Sequence, residues 1–420
     1  MFFERLDISS FAEVFIDPRL ESGFAFLCAK TRMSQGKMIF GQLMEFGPWD
    51  TFKYCVRRYN GDYKNRGLTC WKQFLCMAFG QLTHRESLSD TTLCLKLHKD
   101  KLYHLGIGHP FSKSAISRAN ESRDWRIFRD FALKLIEYAR DLCKNDNLLD
   151  VKLKGKIYAL DATVVDLCLD VFWWAKFRKK KGAIKLHTLL DLKTAIPEYI
   201  FITDGSVHEV NTLDYISFPA GSYLVMDKAY IDFARLRRLA GERTNFVVTA
   251  KDNMKYRVIK RKITKKETGV ICDQTIVLTG TSTSKKYPEL LRRIRYFDAE
   301  TGNTLIFLTN NFKLAALTIA ALYRNRWGIE IFFKWIKQHL KIQTFWGHSE
   351  NAVRTQVWIA IATYVLVVIT KKKLKLPQKL YEILQLISLS AFDRTPLKTL
   401  LLNEDIQDVK EQNCNQLILL

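Results

Sequence analysis

Acidic side chains are scarce in this sequence. Asp and Glu number 43 against 66 Lys and Arg, a formal charge of +23 over 420 residues. A solvated surface does not need that excess. It points to a polyanionic partner, either nucleic acid or an anionic membrane. Long apolar runs are also lacking. The longest, Val357–Thr370, has 14 residues, which suits a buried helix better than a span of about 20. Lys371, Lys372 and Lys373 follow it as cations at a helix C-terminus. The N-terminus lacks the charged-then-apolar order of a signal peptide. No two of the nine cysteines form a C-x-x-C pair, which argues against a zinc site or a disulfide frame. They read as reduced core residues of a cytosolic protein with no membrane role.

What is present is enough apolar residue, 48%, for sizeable cores, and a length that suits two or three domains. From Met33 the pattern is helical. Trp71–Leu82 is a helix candidate with Thr69 as its cap, and Ser87–Leu97 is another. Pro110 then stops the chain, and Ser112 can cap a short helix offering Lys113, Ser114, Ser117, Arg118 and Asn120. Small polar and basic side chains of this kind suit DNA phosphates and base edges, although an ordinary connector helix fits equally. Asp124–Cys143 is a long amphipathic helix.

Near residue 150 the texture turns to short β-rich runs. Ile157–Leu160 predicts a buried strand ending at Asp161, and Tyr223–Met226 predicts another ending at Asp227. Lys185–Leu192, Tyr199–Thr203 and Asn245–Thr249 are further strands, with a helix at Ile231–Ala240. Residues 251–305 show no helical period. A basic run, Lys255–Lys266, precedes alternating strands at Gln274–Leu278, Arg292–Asp298 and Thr304–Leu308. After Pro377 the tail is helical and leucine-rich.

One stretch stands apart. Glu330 is the only acidic residue between Thr301 and Ser349, among Lys313, Arg324, Arg326, Lys334, Lys337 and Lys341. On a helix with Tyr323 at zero, Arg326 falls at about 300°, Glu330 at about 340° and Lys337 at about 320°. Ile329, Ile331, Phe332, Phe333, Trp335, Ile336 and Leu340 cover most of the remaining arc. This can be a solvated face with ordinary Glu330–Arg326 and Glu330–Lys334 pairs. That is the reading pattern alone favours; the sharper one is a metal-binding carboxylate flanked by phosphate-binding cations. The second reading needs partners. Asp161 and Asp227, each at a strand end, supply them, since open α/β sheets bind ligands beyond the carboxyl ends of strands. Asp166, Asp170, Asp191 and Asp204 are competing candidates, with Asp191 the strongest. Three clustered carboxylates would accept hard divalent cations such as Mg²⁺. Arg178, Lys179 and Lys180, just after Trp173 and Trp174, add a basic loop suited to DNA.

At these residues the chain resembles the DDE transposases of bacterial insertion sequences, in the cut-and-paste group with the YREK signature. Tyr323, Arg326, Glu330 and Lys337 meet every spacing of that signature. Asp161 in Tyr158–Thr163 and Asp227 in Met226–Tyr230 match the two Asp motifs, with Ala229 where the family often has Gly. The resemblance covers roughly 33–370. It implies an α/β, multidomain protein with a ribonuclease-H-like catalytic core interrupted by a β-strand insertion, an all-α N-terminal DNA-binding region and a helical C-terminal tail. The division would be an extension at 1–32, the helical domain at 33–148, core at 149–250 and 309–370, the insertion at 251–308 and the tail at 371–420. It also implies two Mg²⁺ ions, with Mn²⁺ as a substitute, held by Asp161, Asp227 and Glu330. Tyr323, Arg326 and Lys337 would contact end phosphates, with Lys334 beside them. The partners implied are double-stranded terminal inverted repeats, target DNA and a second copy in a homodimer. Two alternatives stay open: a decayed or domesticated transposase that binds DNA without cutting, and a ribonuclease-H-like nuclease without strand transfer.

Overall fold

The structure, a computed structural model, describes residues 36–402 except 66, 168–171, 173, 179–180, 252, 265–267, 341 and 343–344; for 176–178, 181 and 339 it describes the backbone alone. The chain is an α/β protein with one large sheet and a helical layer. Among the described residues six helices come first: α1 (Ile39–Met44), α2 (Trp49–Arg58), α3 (Cys70–Leu82), α4 (Leu88–Leu97), α5 (Lys113–Ser122) and α6 (Arg126–Cys143). Their starts follow local chemistry. The Thr69, Ser87 and Ser112 hydroxyls accept from the backbone N–H of Lys72, Asp90 and Ala115, satisfying donors that a helix start leaves open. Phe52, Phe74 and Phe131 meet edge-on or tilted at their centre. Cys55, Cys70, Cys76, Cys94 and Cys143 are buried and unpaired, as the missing C-x-x-C spacing suggested.

The sheet holds ten strands: β1 (Ile157–Leu167), β2 (Lys176–Arg178), β3 (Lys181–Asp191), β4 (Ile196–Asp204), β5 (Tyr223–Met226), β6 (Asn245–Thr249), β7 (Tyr256–Lys262), β8 (Val270–Leu278), β9 (Leu291–Asp298) and β10 (Asn303–Thr309). β3 runs antiparallel to β1 and β4, while β1, β5 and β6 run parallel to one another. Helix α7 (Phe233–Gly241) crosses between β5 and β6, as parallel pairing requires. β10 joins β6 antiparallel, and β9, β8 and β7 continue outward. Residues 256–309 therefore extend the central sheet. A single helical turn, α8 (Thr283–Lys286), lies among these strands. Sequence pattern found β8 to β10 but passed over β7, because Tyr256-Arg-Val-Ile-Lys-Arg-Lys262 has no fully buried residue and alternates only over its first four positions. It is an edge strand, where cations discourage pairing with other chains.

A buried ion pair anchors this extension. Arg292 donates from Nε and Nη2 to the two carboxylate oxygens of Asp273 at 2.8 and 2.7 Å. Its Nη1 donates to the carbonyls of Leu314 and Asn311, just before helix α9 (Ala316–Asn325). The outer strands are thus tied to the segment that leads into Glu330.

Helix α10 (Trp327–Lys334) carries Glu330 and runs into a π-helical turn at Trp335–His339. The expected single helix from Tyr323 to Lys337 is interrupted at Arg326, although Arg326 keeps helical dihedrals. The apolar arc is buried as expected, except that Ile331 is 56% exposed. Helix α11 (Glu350–Leu374) is long and apolar enough to cross a membrane, but 94% of its most apolar window is buried within the protein. It packs against α3, α5 and α6, with Val357–Thr370 buried throughout. Helices α12 (Leu380–Ser390) and α13 (Leu397–Leu402) close the described chain. One continuous core runs from α1 to α6 beneath α11 and onto the face of the sheet that carries Ile157, Ala159, Val225 and Val247. The opposite face, with Tyr158, Leu160, Leu224 and Met226, packs on α7.

Candidate active site

Strand parity decides which side chains meet. Asp161 lies on the same face as Ile157 and Ala159, and Asp227 on the same face as Val225. β1 and β5 pair in parallel with Ala159 opposite Val225. Two residues beyond that pair, Asp161 and Asp227 share a face at the point where β5 stops, near enough that the Asp227 charge acts on Asp161. The expectation that Asp161 ends its strand is corrected here. β1 continues to Leu167 because Thr163 and Val165 go on pairing with Leu186 and Ile184 of β3. Its other neighbour, β5, stops at Met226, which opens that side of Asp161. Asp227 does end its strand. Its Oδ1 accepts the Ala229 N–H at 2.6 Å and caps the short turn that follows.

Glu330 comes from above. Arg326 bridges the two elements: Nη1 donates to Asp161 Oδ2 at 3.0 Å and Nη2 to Glu330 Oε1 at 2.6 Å. The Arg326 guanidinium also lies 5.5 Å from the Tyr323 ring centroid, and that ring packs on Phe307. Lys337 donates to the carbonyl of Val164 at 2.6 Å. Arg326 and Lys337 thus hold the Glu330 segment against β1, while Tyr323 packs on β10. Lys334 is exposed on the outside. Lys228 and Lys251 share a surface cavity of about 430 Å³ with Asp227.

Burial raises the Asp161 carboxyl to about 6, and the negative fields of Asp227 and Glu209 add to it, against the opposing pull of the Ala162 N–H and Arg326. Burial also lowers the Lys337 ammonium from its usual range. Tyr230 is pushed far up by burial and by Asp161, Glu209 and Asp227. Its hydroxyl is buried with no hydrogen-bond partner among the described residues. Sequence reading gave Tyr230 and Glu209 no role. Tyr230, three residues after Asp227, carried a signal in its position, whereas Glu209 lies in a connecting turn with no pattern.

The competitors separate. Asp191 is fully buried and paired to Lys156 at 2.7 Å, opposite Tyr158 and toward the other end of β1. Asp166 is exposed, and Asp204 bonds to Ser206 in the turn after β4. Asp170, Lys179 and Lys180 lie outside the described residues, and Arg178 is described only in its backbone within β2. Lys113 and Arg118 are exposed on α5, in the helical layer rather than beside the carboxylates. Asn120 is corrected: it is 1% exposed and accepts from Gln73 Nε2 at 2.7 Å, so it faces the core and not a ligand.

Carboxylate oxygens alone suit a hard cation such as Mg²⁺. Among the described residues, no three His, Cys, Asp or Glu side chains converge closely enough to hold an ion as they stand. Arg326 occupies the space between Asp161 and Glu330 and takes oxygens from both. The donor set therefore fits a divalent ion in its chemistry, with Asp161 and Asp227 on adjacent strands and Glu330 one guanidinium away from Asp161.

Residues 152–366, half of the chain, match the Transposase DDE domain family, and residues 35–108 match a domain of unknown function, DUF4372. The chain belongs to the Transposase DDE domain family. It is 34% identical to a protein of Sinorhizobium fredii named as the transposase y4zB, over 53% of this chain and 63% of that one. It is 28% identical to a protein of Geobacillus stearothermophilus named as the transposase of element IS5377, over 56% and 62%. A Synechocystis protein named as the transposase of element IS4SA is 26% identical over 62% and 72%. The matched stretches thus span less than two thirds of the first two relatives.

Proposed function

We propose that this chain is a DNA strand-transfer enzyme that binds the terminal inverted repeats of its element, cleaves at the ends and joins the 3′-hydroxyls to target DNA. The observation that carries the reading is the Arg326 bridge that holds Glu330 over Asp161, with Asp227 close by at the end of the adjacent parallel strand. The strand order β4-β3-β1-β5-β6, antiparallel then parallel, supports a ribonuclease-H-like core.

Asp161, Asp227 and Glu330 would hold Mg²⁺, or Mn²⁺ in its place. Two such ions activate a water or 3′-hydroxyl and stabilise the leaving oxygen. The chain's own residues do the positioning. Arg326 offers a planar fork to an end phosphate and Lys337 a point charge, both on the Glu330 stripe. Tyr323 backs Arg326. Lys334, Lys113, Arg118 and the basic run at Arg178, Lys179 and Lys180 add nonspecific attraction to the duplex. A homodimer would bring two ends together.

The test is cleavage of a labelled duplex carrying the element's own ends, with Mg²⁺, by the full chain. End-specific nicking that is lost in Asp161→Asn and Glu330→Gln supports the reading. Absence of nicking, or nicking unchanged in both variants, overturns it.

A further inference from the structure

We propose that Arg326 is a gate that couples divalent-ion binding to the arrival of the DNA backbone, an inference that rests on the metal-site reading above. Arg326 holds Asp161 at 3.0 Å and Glu330 at 2.6 Å, on oxygens that an ion would need. A guanidinium and a divalent cation compete for the same lone pairs and repel each other. While Arg326 bridges them, each carboxylate has only its other oxygen left for an ion, and Asp161 Oδ1 already accepts the Ala162 N–H.

The bridge is poised to open. Of the Arg326 nitrogens, Nη1 and Nη2 have carboxylate partners, but the Nε–H is buried with no hydrogen-bond partner among the described residues. A phosphate oxygen pair can take Nε and one Nη in parallel, which the split arrangement across two carboxylates does not provide. The Arg326 side chain remains 16% exposed, so its charge reaches solvent on the helix face that would meet DNA. Tyr323, with its ring centroid 5.5 Å from the guanidinium, gives the group a surface to pivot on. A backbone phosphate drawing Arg326 away would release Asp161 Oδ2 and Glu330 Oε1 together. The ion would then bind beside Asp227. The consequence is an enzyme that does not assemble its hydrolytic centre away from DNA.

Because coupling is reciprocal, the ion must also strengthen DNA binding. The experiment measures free Mn²⁺ by electron paramagnetic resonance during titration of the full chain, with and without a duplex of the element's end. In the wild type, Asp161-dependent Mn²⁺ affinity is expected to rise by about 5–150-fold when the duplex is present. In Arg326→Gln, affinity without DNA is expected to approach the wild-type value with DNA, and the DNA dependence to shrink. Equal Mn²⁺ affinity with and without duplex, with Asp161→Asn abolishing it in both, overturns the gate while leaving the metal site standing. No Asp161-dependent Mn²⁺ binding under either condition overturns the metal-site reading itself and the gate with it. If Arg326→Gln fails to fold, the wild-type comparison decides alone.

Discussion

The Lys337 ammonium donates to the Val164 carbonyl at 2.6 Å, three residues beyond Asp161 on the same strand. This contact fastens the far end of the Glu330 segment to β1, as Arg326 fastens the near end through Asp161. Lys337→Met keeps the aliphatic stem and removes the donor. It is expected to lower stability by about 1 kcal/mol, since a charged hydrogen bond that reaches solvent is discounted. End cleavage should fall by at least about tenfold, as a small misplacement of catalytic groups is costly. Denaturant melts and the nicking assay measure the two effects.

Asp161 is expected to weaken the fold that holds it. Its folded-state value of about 6 lies above the ordinary 3.8, so the folded chain binds the extra proton between those values. Stability from this group therefore rises as pH falls through about 6 and is least at neutral pH. Asp161→Asn should stabilise the metal-free protein at pH 7 by about 1–3 kcal/mol. Urea denaturation in EDTA tests this, and a destabilised variant contradicts it.

His187 acts in the opposite sense. It is fully buried on β3, with Nε2 3.0 Å from Thr203 Oγ1, and burial lowers it to about 4. The unfolded chain then binds the proton first, so stability is lost as pH falls from about 6.5 toward 4. The loss should reach about 3 kcal/mol. His187→Leu should flatten that part of the stability profile relative to wild type, as followed by denaturation at stepped pH.

Arg292 and Asp273 should behave as a unit. Removing one partner leaves a buried charge, so Arg292→Leu is expected to cost about 3–5 kcal/mol. The double variant Arg292→Leu, Asp273→Leu should recover part of that loss. Because Arg292 also holds the Leu314 and Asn311 carbonyls, the recovery should be incomplete. A double-mutant cycle by urea denaturation measures the coupling.

Local chemistry was legible from the start. The caps Thr69 and Ser112, the strands around Ile157–Leu160 and Tyr223–Met226, and the Arg326–Glu330–Lys337 stripe follow from covalent periodicity and side-chain type, which a sequence carries directly. The long-range relations were not legible. Sequence alone ended β1 at Asp161, because it could not show that Thr163 and Val165 would keep pairing with β3 after β5 stopped. It offered Asn120 to a ligand, because only packing against α3 reveals that this side chain belongs to Gln73. It ranked Asp191 as a rival, because Lys156 is 35 positions away in the chain. Residue types and their spacing determined which groups this protein could use. Strand register and helix packing decided which of them meet, since a one-residue change of register would send Asp161 to the opposite face.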